Sequence, residues 1–311
     1  MSLFDCIVVG GGPAGLTAGL YLARGKQNTL LLEKHVFGGQ IALTHLVENY
    51  PGFPDGISGI DLSDKFRLQA ERFGLKIKQD GAISISKEEG LFKVKTQSAD
   101  LFAKAVILTV GSNPRKLGVP GEAEFLNRGV SYCATCDGAL FDGLDIAVVG
   151  GGDSAAQESL FLTRFAKKLY LIHRREQMRA QPTLRERVLA NKKIEFLPNK
   201  VVTQVVGDNA MTGLILEDTK TGEKSHLPVE GLFVFIGLEP NTWFLKGFIE
   251  LDERGYIVTN ERLQTSVEGV FAAGDCRKGA SGQVAIAVGE GCKAALEAQH
   301  YLQDLAQCGK S

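Results

Sequence analysis

At 311 residues the chain is long enough for two domains, each with its own core. Hydrophobic residues at 44% and charged residues at 23% exclude a disordered, fibrous or coiled-coil protein. A formal net charge of -1 gives no electrostatic reason to expect nucleic acid or an anionic membrane as partner.

No apolar run approaches the roughly 20 residues that span a bilayer, and the first residues carry neither the basic nor the apolar segment of a secretory signal. A cytoplasmic protein is expected, in a compartment where cysteines stay reduced unless they take part in catalysis.

Phe4 to Val9 reads as a β-strand. Gly10-Gly11-Gly12-Pro13-Ala14-Gly15 then turns into an apolar helix from Leu16 to Arg24, and a second strand, Thr29 to Leu32, ends on Glu33. Strand, G-x-G-x-x-G turn, helix, strand and acid form the start of a dinucleotide-binding βαβ unit. Gly10, Gly12 and Gly15 permit the turn, the approach of backbone to a pyrophosphate and close helix packing, and Glu33 suits a ribose hydroxyl pair.

Phe37 to Gly59, with Gly38-Gly39-Gln40 and Glu48-Asn49-Tyr50-Pro51-Gly52, shows neither helical nor strand period. It reads as a loop wrapped on a ligand, with a plain surface loop as the alternative. Asp61 to Phe73 has amphipathic helix spacing, and Ile83 to Lys95 reads as two antiparallel strands joined at Glu89-Gly90. Ala105 to Thr109 is a buried strand running into Val110-Gly111, and Asn113-Pro114 marks a domain boundary.

Next comes Cys133-Ala134-Thr135-Cys136-Asp137. Two thiols separated by two residues can close a small disulfide ring and lower one another's pKa, which suits two-electron exchange. A structural zinc would need a second pair of ligands at similar spacing. Cys6, Cys276, Cys292 and Cys308 are scattered singly and the five histidines form no such pattern, so no metal is expected. Two buried core thiols are the remaining alternative.

The βαβ pattern then repeats. Asp145 to Val149 is a strand, Gly150-Gly151-Gly152-Asp153-Ser154-Ala155 the turn, Ala156 to Phe165 a helix, and Leu169 to Ile172 the next strand. Internal duplication predicts two dinucleotide sites, one per domain. Gly10 to Glu33 spans 23 positions and Gly150 to His173 the same 23. The place of the acid is therefore taken by His173-Arg174-Arg175, with Arg179 following. Arginine forks match the 2'-phosphate of NADP, so the second site is expected to prefer NADPH; a solvated basic face is the alternative.

Further strands are expected at Ile194 to Leu197, Lys200 to Val206, Met211 to Glu217 and Gly231 to Ile236, with the second crossing at Trp243 to Gly247. Gly269 to Ala273 is a strand ending in Gly274-Asp275, where doubly wound sheets bind ligands. Gln283 to Leu302 is a long Ala-rich helix.

With C-A-T-C-D between two such units, the chain resembles the low-molecular-weight, bacterial-type thioredoxin reductases of the class II pyridine nucleotide-disulfide oxidoreductases. The likeness runs nearly end to end, through both glycine turns, Gly38-Gly39-Gln40, Glu48 to Gly52, Ser131 to Gly138, His173 to Ala180, Pro240-Asn241-Thr242 and Ala272 to Asp275. It implies an α/β fold of two Rossmann-like, three-layer ββα domains, the second inserted into the first. Residues 1–112 and 246–311 would bind FAD, and residues 113–245 would bind NADPH and carry the dithiol.

FAD would be held by Gly10, Gly12, Pro13, Ala14, Gly15, Glu33, Gly39, Gln40, Asn49, Thr109, Gly111, Gly274, Asp275, Gln283 and Val284. NADPH would be held by Gly150, Gly152, Asp153, Ser154, Ala155, His173, Arg174, Arg175 and Arg179. Cys136 would face the flavin, Cys133 would exchange with the partner, and Asp137 would manage the thiol protons. The implied substrate is thioredoxin and the implied assembly a homodimer.

The chain departs from the family at Gly282-Gln283, where many members carry a basic residue before the Gln. Cys276 reads as a packing residue, with a thiol near the flavin as the alternative. The rival functions are a related flavin disulfide reductase serving another thioredoxin-fold or peroxidase partner, and a nucleotide-binding redox sensor without turnover.

Overall fold

The computed structural model describes residues 3–43, 47 and 49–308. In chain order they form β1 (Leu3–Val9), α1 (Pro13–Arg24), β2 (Thr29–Glu33), α2 (Gly59–Arg72), β3 (Lys76–Gln79), β4 (Ala82–Glu88), β5 (Leu91–Thr96), β6 (Asp100–Leu108) and β7 (Ser112–Pro114). Then follow β8 (Val130–Ser131), α3 (Ala134–Asp137), β9 (Asp145–Gly150), α4 (Asp153–Leu162), β10 (Lys168–His173), α5 (Pro182–Ala190), β11 (Ile194–Pro198), β12 (Lys200–Gly207), β13 (Met211–Asp218), β14 (Lys224–Pro228) and β15 (Gly231–Phe235). The chain ends with β16 (Leu238–Pro240), β17 (Val270–Ala272) and α6 (Val284–Cys308).

These elements divide into two compact units, residues 1–113 with 239–311, and residues 114–238. The first unit is built on a sheet ordered β3-β2-β1-β6, parallel throughout. On the edge away from β1, β6 serves two partners: Asp100 to Ala103 pair antiparallel with β5, whereas Val106 to Leu108 pair parallel with β17. The β4–β5 hairpin thereby leaves the parallel sheet halfway along β6.

Both faces of this sheet are covered at its centre, which is why β1, β2 and the second half of β6 read as unbroken apolar runs. Side chains alternate from face to face with period two. Cys6, Val8, Ala105 and Ile107 join a core with α1 and α6 residues such as Leu16, Leu22 and Ala298. Ile7, Val9, Val106 and Leu108 face the other way, against Phe92 and Val94 of β5 and against Leu245, Ile249 and Ile257.

The second unit repeats the scheme with a sheet ordered β11-β10-β9-β15-β8, parallel throughout. Ile146 and Val148 pack with Ala155, Ala156 and Leu162 of α4. Ala147 and Val149 pack on Val202, Val205, Leu214 and Leu216 of the antiparallel β12-β13-β14 layer. Each unit therefore has the ββα layering that the resemblance implies.

Several elements depart from the sequence reading. The residue pattern marks none of β3, β7, β8, α3, α5, β14 and β16. α5 begins on Pro182 and interrupts no strong apolar stripe, since Val188 is its one fully buried residue. The long loop after β2 contains a 3₁₀ turn at Gly39–Leu43 and a bridge between Val47 and Ile57, and Glu48 lies outside the described residues.

The return crossing lies at 238–239 rather than at 246. β7 and β16, the two crossings, pair with one another, and Leu245 is already buried in the first unit's core. Replacing Leu245 by Ala is expected to cost about 2–5 kcal/mol. Hydrogen exchange checks the assignment: amides of β1 and β6 should lose protection, and those of β9 and β10 should keep it.

Candidate active site

In the first unit the chain leaves β1 through Gly10, whose φ is +110°. Thr109 braces the turn, its amide donating to Val9 O and its hydroxyl lying 2.9 Å from Gly10 O. A Cβ on residue 15 would lie 1.9 Å from Gly10 O, so only glycine lets α1 start so close to the strand. Gly12 caps α1 without any side-chain hydrogen bond, and nothing lies within 4 Å of the position its Cβ would take. An uncapped helix N-terminus behind an open glycine is the donor set that a pyrophosphate requires.

The other flavin candidates of this unit gather around that turn. A Cβ on Gly39 would lie 3.4 Å from Gly12 Cα, and one on Gly274 would lie 3.1 Å from Ala14 Cβ. Asn49 Nδ2 donates to Gln283 Oε1 at 3.3 Å, so the loop after β2 meets the start of α6. Val284 packs in the small core that holds Ile41, Val47 and Ile57. Gln40 donates to Asn113 at 2.6 Å, Asn113 to Asn241 at 3.0 Å, and Asn241 to Val110 O, which joins Gln40 to the backbone beside Gly111.

Glu33 is half-buried at the end of β2. One oxygen accepts from Gly11 N at 2.6 Å and the other from His35 N at 2.7 Å. Each retains a lone pair, so the carboxylate is held in place with acceptor capacity to spare for a diol. Burial pushes the Asp275 carboxyl up, the Gly282 amide draws it down, and neighbouring Glu290 raises it.

Glu290 is not singled out in the sequence, where it is one of three acids along α6. It accepts from Gly274 N at 2.7 Å and pairs with the largely buried Arg277, fixing the turn that presents Asp275. Cys276 is fully buried, its thiol pushed up to about 12 by desolvation. It packs in the core with Leu108 and Ala272 and is a packing residue.

In the second unit Gly152 is likewise an uncapped N-cap with open space before it. Asp153 opens α4 and accepts two hydrogen bonds from Gln181, 2.7 Å from its amide and 3.3 Å from its side chain. Ser154 is exposed and Ala155 buried. Arg174, Arg175 and Arg179 are exposed. Among the described residues none of the three has a carboxylate within ion-pair distance. Three guanidinium forks without acidic partners beside an open helix start fit a dianionic phosphate.

His173 is placed differently from the arginines it adjoins in sequence. It is 6% exposed, and its ring fills the space beneath Gly151, where a Cβ would come within 2.2 Å of it. Its Nε2 has no hydrogen-bond partner among the described residues. The shared spacing of 23 positions aligns His173 with Glu33 and is silent on burial, which follows because β10 runs through His173 and carries it into the sheet.

The dithiol lies at the other edge of the same sheet. Val130 and Ser131 of β8 pair with Leu232 and Phe233 of β15, and Cys133 is the N-cap of α3. Cys133 and Cys136 are joined in a disulfide with Cα atoms 5.3 Å apart. The Cys136 amide donates to Cys133 Sγ at 3.2 Å, an interaction that favours negative charge on that sulfur. Asp137 accepts from the Ser131 hydroxyl at 2.6 Å. Tyr132 donates to the buried Glu122, which also accepts from the amides of Leu117 and Gly118. Ser131 and Glu122 received no role from sequence alone.

Two open glycine turns and a half-exposed dithiol define a flavin- and nicotinamide-linked disulfide oxidoreductase as the class. A family model described as pyridine nucleotide-disulphide oxidoreductase matches residues 4–291. The chain is 43% identical over 310 residues to a thioredoxin reductase of Bacillus subtilis, covering 99% of this chain and 98% of that one. It is 47% identical over 306 residues to one of Streptomyces clavuligerus, covering 97% and 95%. The crystal structure of thioredoxin reductase from Streptococcus pyogenes superposes with a TM-score of 0.90 at 40% identity, covering 97% of this chain and 99% of that chain. The chain belongs to the pyridine nucleotide-disulphide oxidoreductases, within their low-molecular-weight thioredoxin reductase branch.

The His173 placement has a pH consequence. Burial first, then the charge of Arg179, lowers its pKa from the ordinary 6.5. The unfolded chain therefore takes the proton before the folded one, and the stability held above pH 6.5 is lost as pH falls through the folded value. Urea unfolding of the wild type should weaken between pH 7.5 and 5.5 more than that of His173→Gln.

Proposed function

We propose that the chain is an NADPH-dependent flavoprotein that reduces the disulfide of thioredoxin. The observation that carries this reading is the Cys133–Cys136 disulfide, set on the same sheet as an open glycine turn flanked by three exposed arginines without acidic partners. When bound, NADPH supplies a hydride and FAD converts it into an electron pair for the disulfide.

The chain's own residues do the rest. Gly10 to Gly15 hold the flavin's pyrophosphate on the α1 N-terminus, Glu33 the ribose, and Gln40, Asn49, Gln283 and Asp275 the remaining polar groups. Gly150 to Ala155 hold the pyrophosphate of NADPH, and Arg174, Arg175 and Arg179 its 2'-phosphate. His173 supports Gly151 from beneath.

Once the disulfide is open, Cys133 acts as nucleophile, its thiolate stabilised by the Cys136 amide. It attacks one sulfur of the partner disulfide, which breaks and leaves a mixed disulfide. Cys136 then attacks Cys133, the Cys133–Cys136 bond reforms, and the partner leaves with two electrons more. Asp137 passes a proton to the departing thiolate.

The dithiol and the arginines ride on residues 114–238, and the flavin candidates on the other unit. Disulfide and nicotinamide are therefore presented in turn, and the second unit rotates about the crossings at β7 and β16 between half-reactions. A cytoplasmic homodimer is the assembly this reading carries, and no helix among the described residues is long and apolar enough to cross a membrane.

Two measurements test the reading. NADPH should bleach the flavin of Cys136→Ser as it does that of wild type, while reduction of oxidised thioredoxin falls to background. Replacing Arg174 and Arg175 by Ala should lower the kcat/KM preference for NADPH over NADH by roughly a hundredfold; an unchanged preference refutes the phosphate assignment.

A further inference from the structure

We propose that Ser131 is a positioning residue for the dithiol step, acting by holding the Asp137 carboxylate against the turn that carries Cys133 and Cys136. This rests on the reading of Asp137 as the group that handles the thiol protons.

In the sequence Ser131 stands two residues before Cys133 with no evident task; the structure gives it one. It ends β8, its backbone fixed by the pairing of Ser131 with Phe233, and it is 3% exposed. A hydroxyl has one proton and two lone pairs. The Cys133 amide donates to Ser131 Oγ at 3.1 Å, which occupies a lone pair and leaves the proton two acceptors. Asp137 Oδ2 lies at 2.6 Å and Cys133 O at 3.3 Å. The shorter bond, to a carboxylate, is the stronger.

Further hydrogen bonds close the turn. Asp137 N donates to Cys133 O at 3.1 Å, Cys136 N to Cys133 Sγ at 3.2 Å, and Ser131 Oγ to Asp137 Oδ2 at 2.6 Å. The first two come from backbone amides and place the chain; the Ser131 bond orients the carboxylate itself.

The distinction acquires weight when the disulfide opens. Two electrons supplied by NADPH through FAD break the Cys133–Cys136 bond, leaving a thiol and a thiolate once one proton is taken up. The covalent clamp on the turn is then gone. The Ser131 bond needs no sulfur–sulfur bond, so it keeps the carboxylate in register during the step in which the Cys133–Cys136 bond reforms and the partner's two sulfurs gain two electrons and two protons, one from the remaining thiol and one from solvent.

The test uses flavin-loaded enzyme, pre-reduced with NADPH and mixed in stopped flow with an oxidised bacterial thioredoxin. It compares wild type, Ser131→Ala, Asp137→Asn and the double variant. NADPH bleaching of each sample reports cofactor loading. Ser131→Ala should slow exchange by about tenfold or more, with KM for thioredoxin within about twofold of wild type, because a buried hydroxyl does not touch the partner. The double variant should be no more than about twofold slower than Asp137→Asn alone, since Ser131 has no carboxylate left to hold.

Losses that multiply in the double variant, a rise in KM without a fall in kcat, or a Ser131→Ala rate within about twofold of wild type each overturn the proposal. Wild-type exchange by Asp137→Asn refutes the role of Asp137 and this inference with it. Absence of bleaching by NADPH in wild type refutes the proposed function independently of Ser131.

Discussion

The first unit is organised by the approach of one helix to one strand end. Gly10 O occupies the place where a side chain on residue 15 would begin, 1.9 Å from an ideal Cβ. That contact aims the α1 amides across the glycine turn instead of into a loop, and it draws the rest of the unit inward. α6 crosses α1 so closely that a Cβ on Gly291 would meet Ala14 O at 2.2 Å, and Glu290 beside it captures the Gly274 amide. A core of small residues, with Ala14, Ala18, Ala294, Ala295 and Ala298, follows from the same approach, because larger side chains would separate the helices. The second unit reaches the same geometry by another allocation of space. Residue 155 is Ala, and the room for it is made at Gly150, whose Cβ would lie 2.5 Å from that of Ala155.

The two turns differ in charge. In the first, Glu33 is anchored by two backbone amides and presents an anion, which suits hydroxyl donors and repels a phosphate. In the second, the same register position holds His173, turned under Gly151 and away from water. A charged imidazole there would add a buried cation next to Arg174 and Arg179, a costly arrangement, and the depressed pKa of His173 expresses that cost. Discrimination between the two nicotinamides then falls to guanidinium groups on the surface, where no acid among the described residues competes with a ligand phosphate.

Much of this was legible in the sequence because it depends on local signals. Strands buried on both faces announce themselves as apolar runs, and β1, β2, β9, β10, β15 and β17 lie close to where the sequence places them, whereas β6 is legible only from Ala105 on and begins at Asp100. Glycines needed for close approach stand at fixed offsets from them, so both turns and the duplication could be read. The misses share a cause. β3 and β14 are exposed or half-buried along most of their length, and a short solvated strand at a sheet edge carries little period. Trp243 to Gly247 resembles a linker in the sequence, whereas Leu245 is core. Ser131, Glu122 and Glu290 act through hydrogen bonds to groups 6, 10 and 16 residues away, and composition does not reveal such pairings.

The cysteines show how the fold sorts one chemical group into two behaviours. Cys6 and Cys276 lie on β1 and just beyond β17, fully buried among aliphatic side chains. Desolvation raises both thiols, Cys276 to about 12, so they stay protonated and inert. Cys133 and Cys136 are half-buried at the start of a four-residue helix, beside an amide that favours the thiolate and near the Asp137 carboxylate, which accepts from the Ser131 hydroxyl. Reactivity here comes from a helix start, where the first amides have no intrahelical acceptor whatever the length of the helix. One of them, that of Cys136, is aimed at Cys133 Sγ, while both sulfurs stay half-buried between β8 and β9.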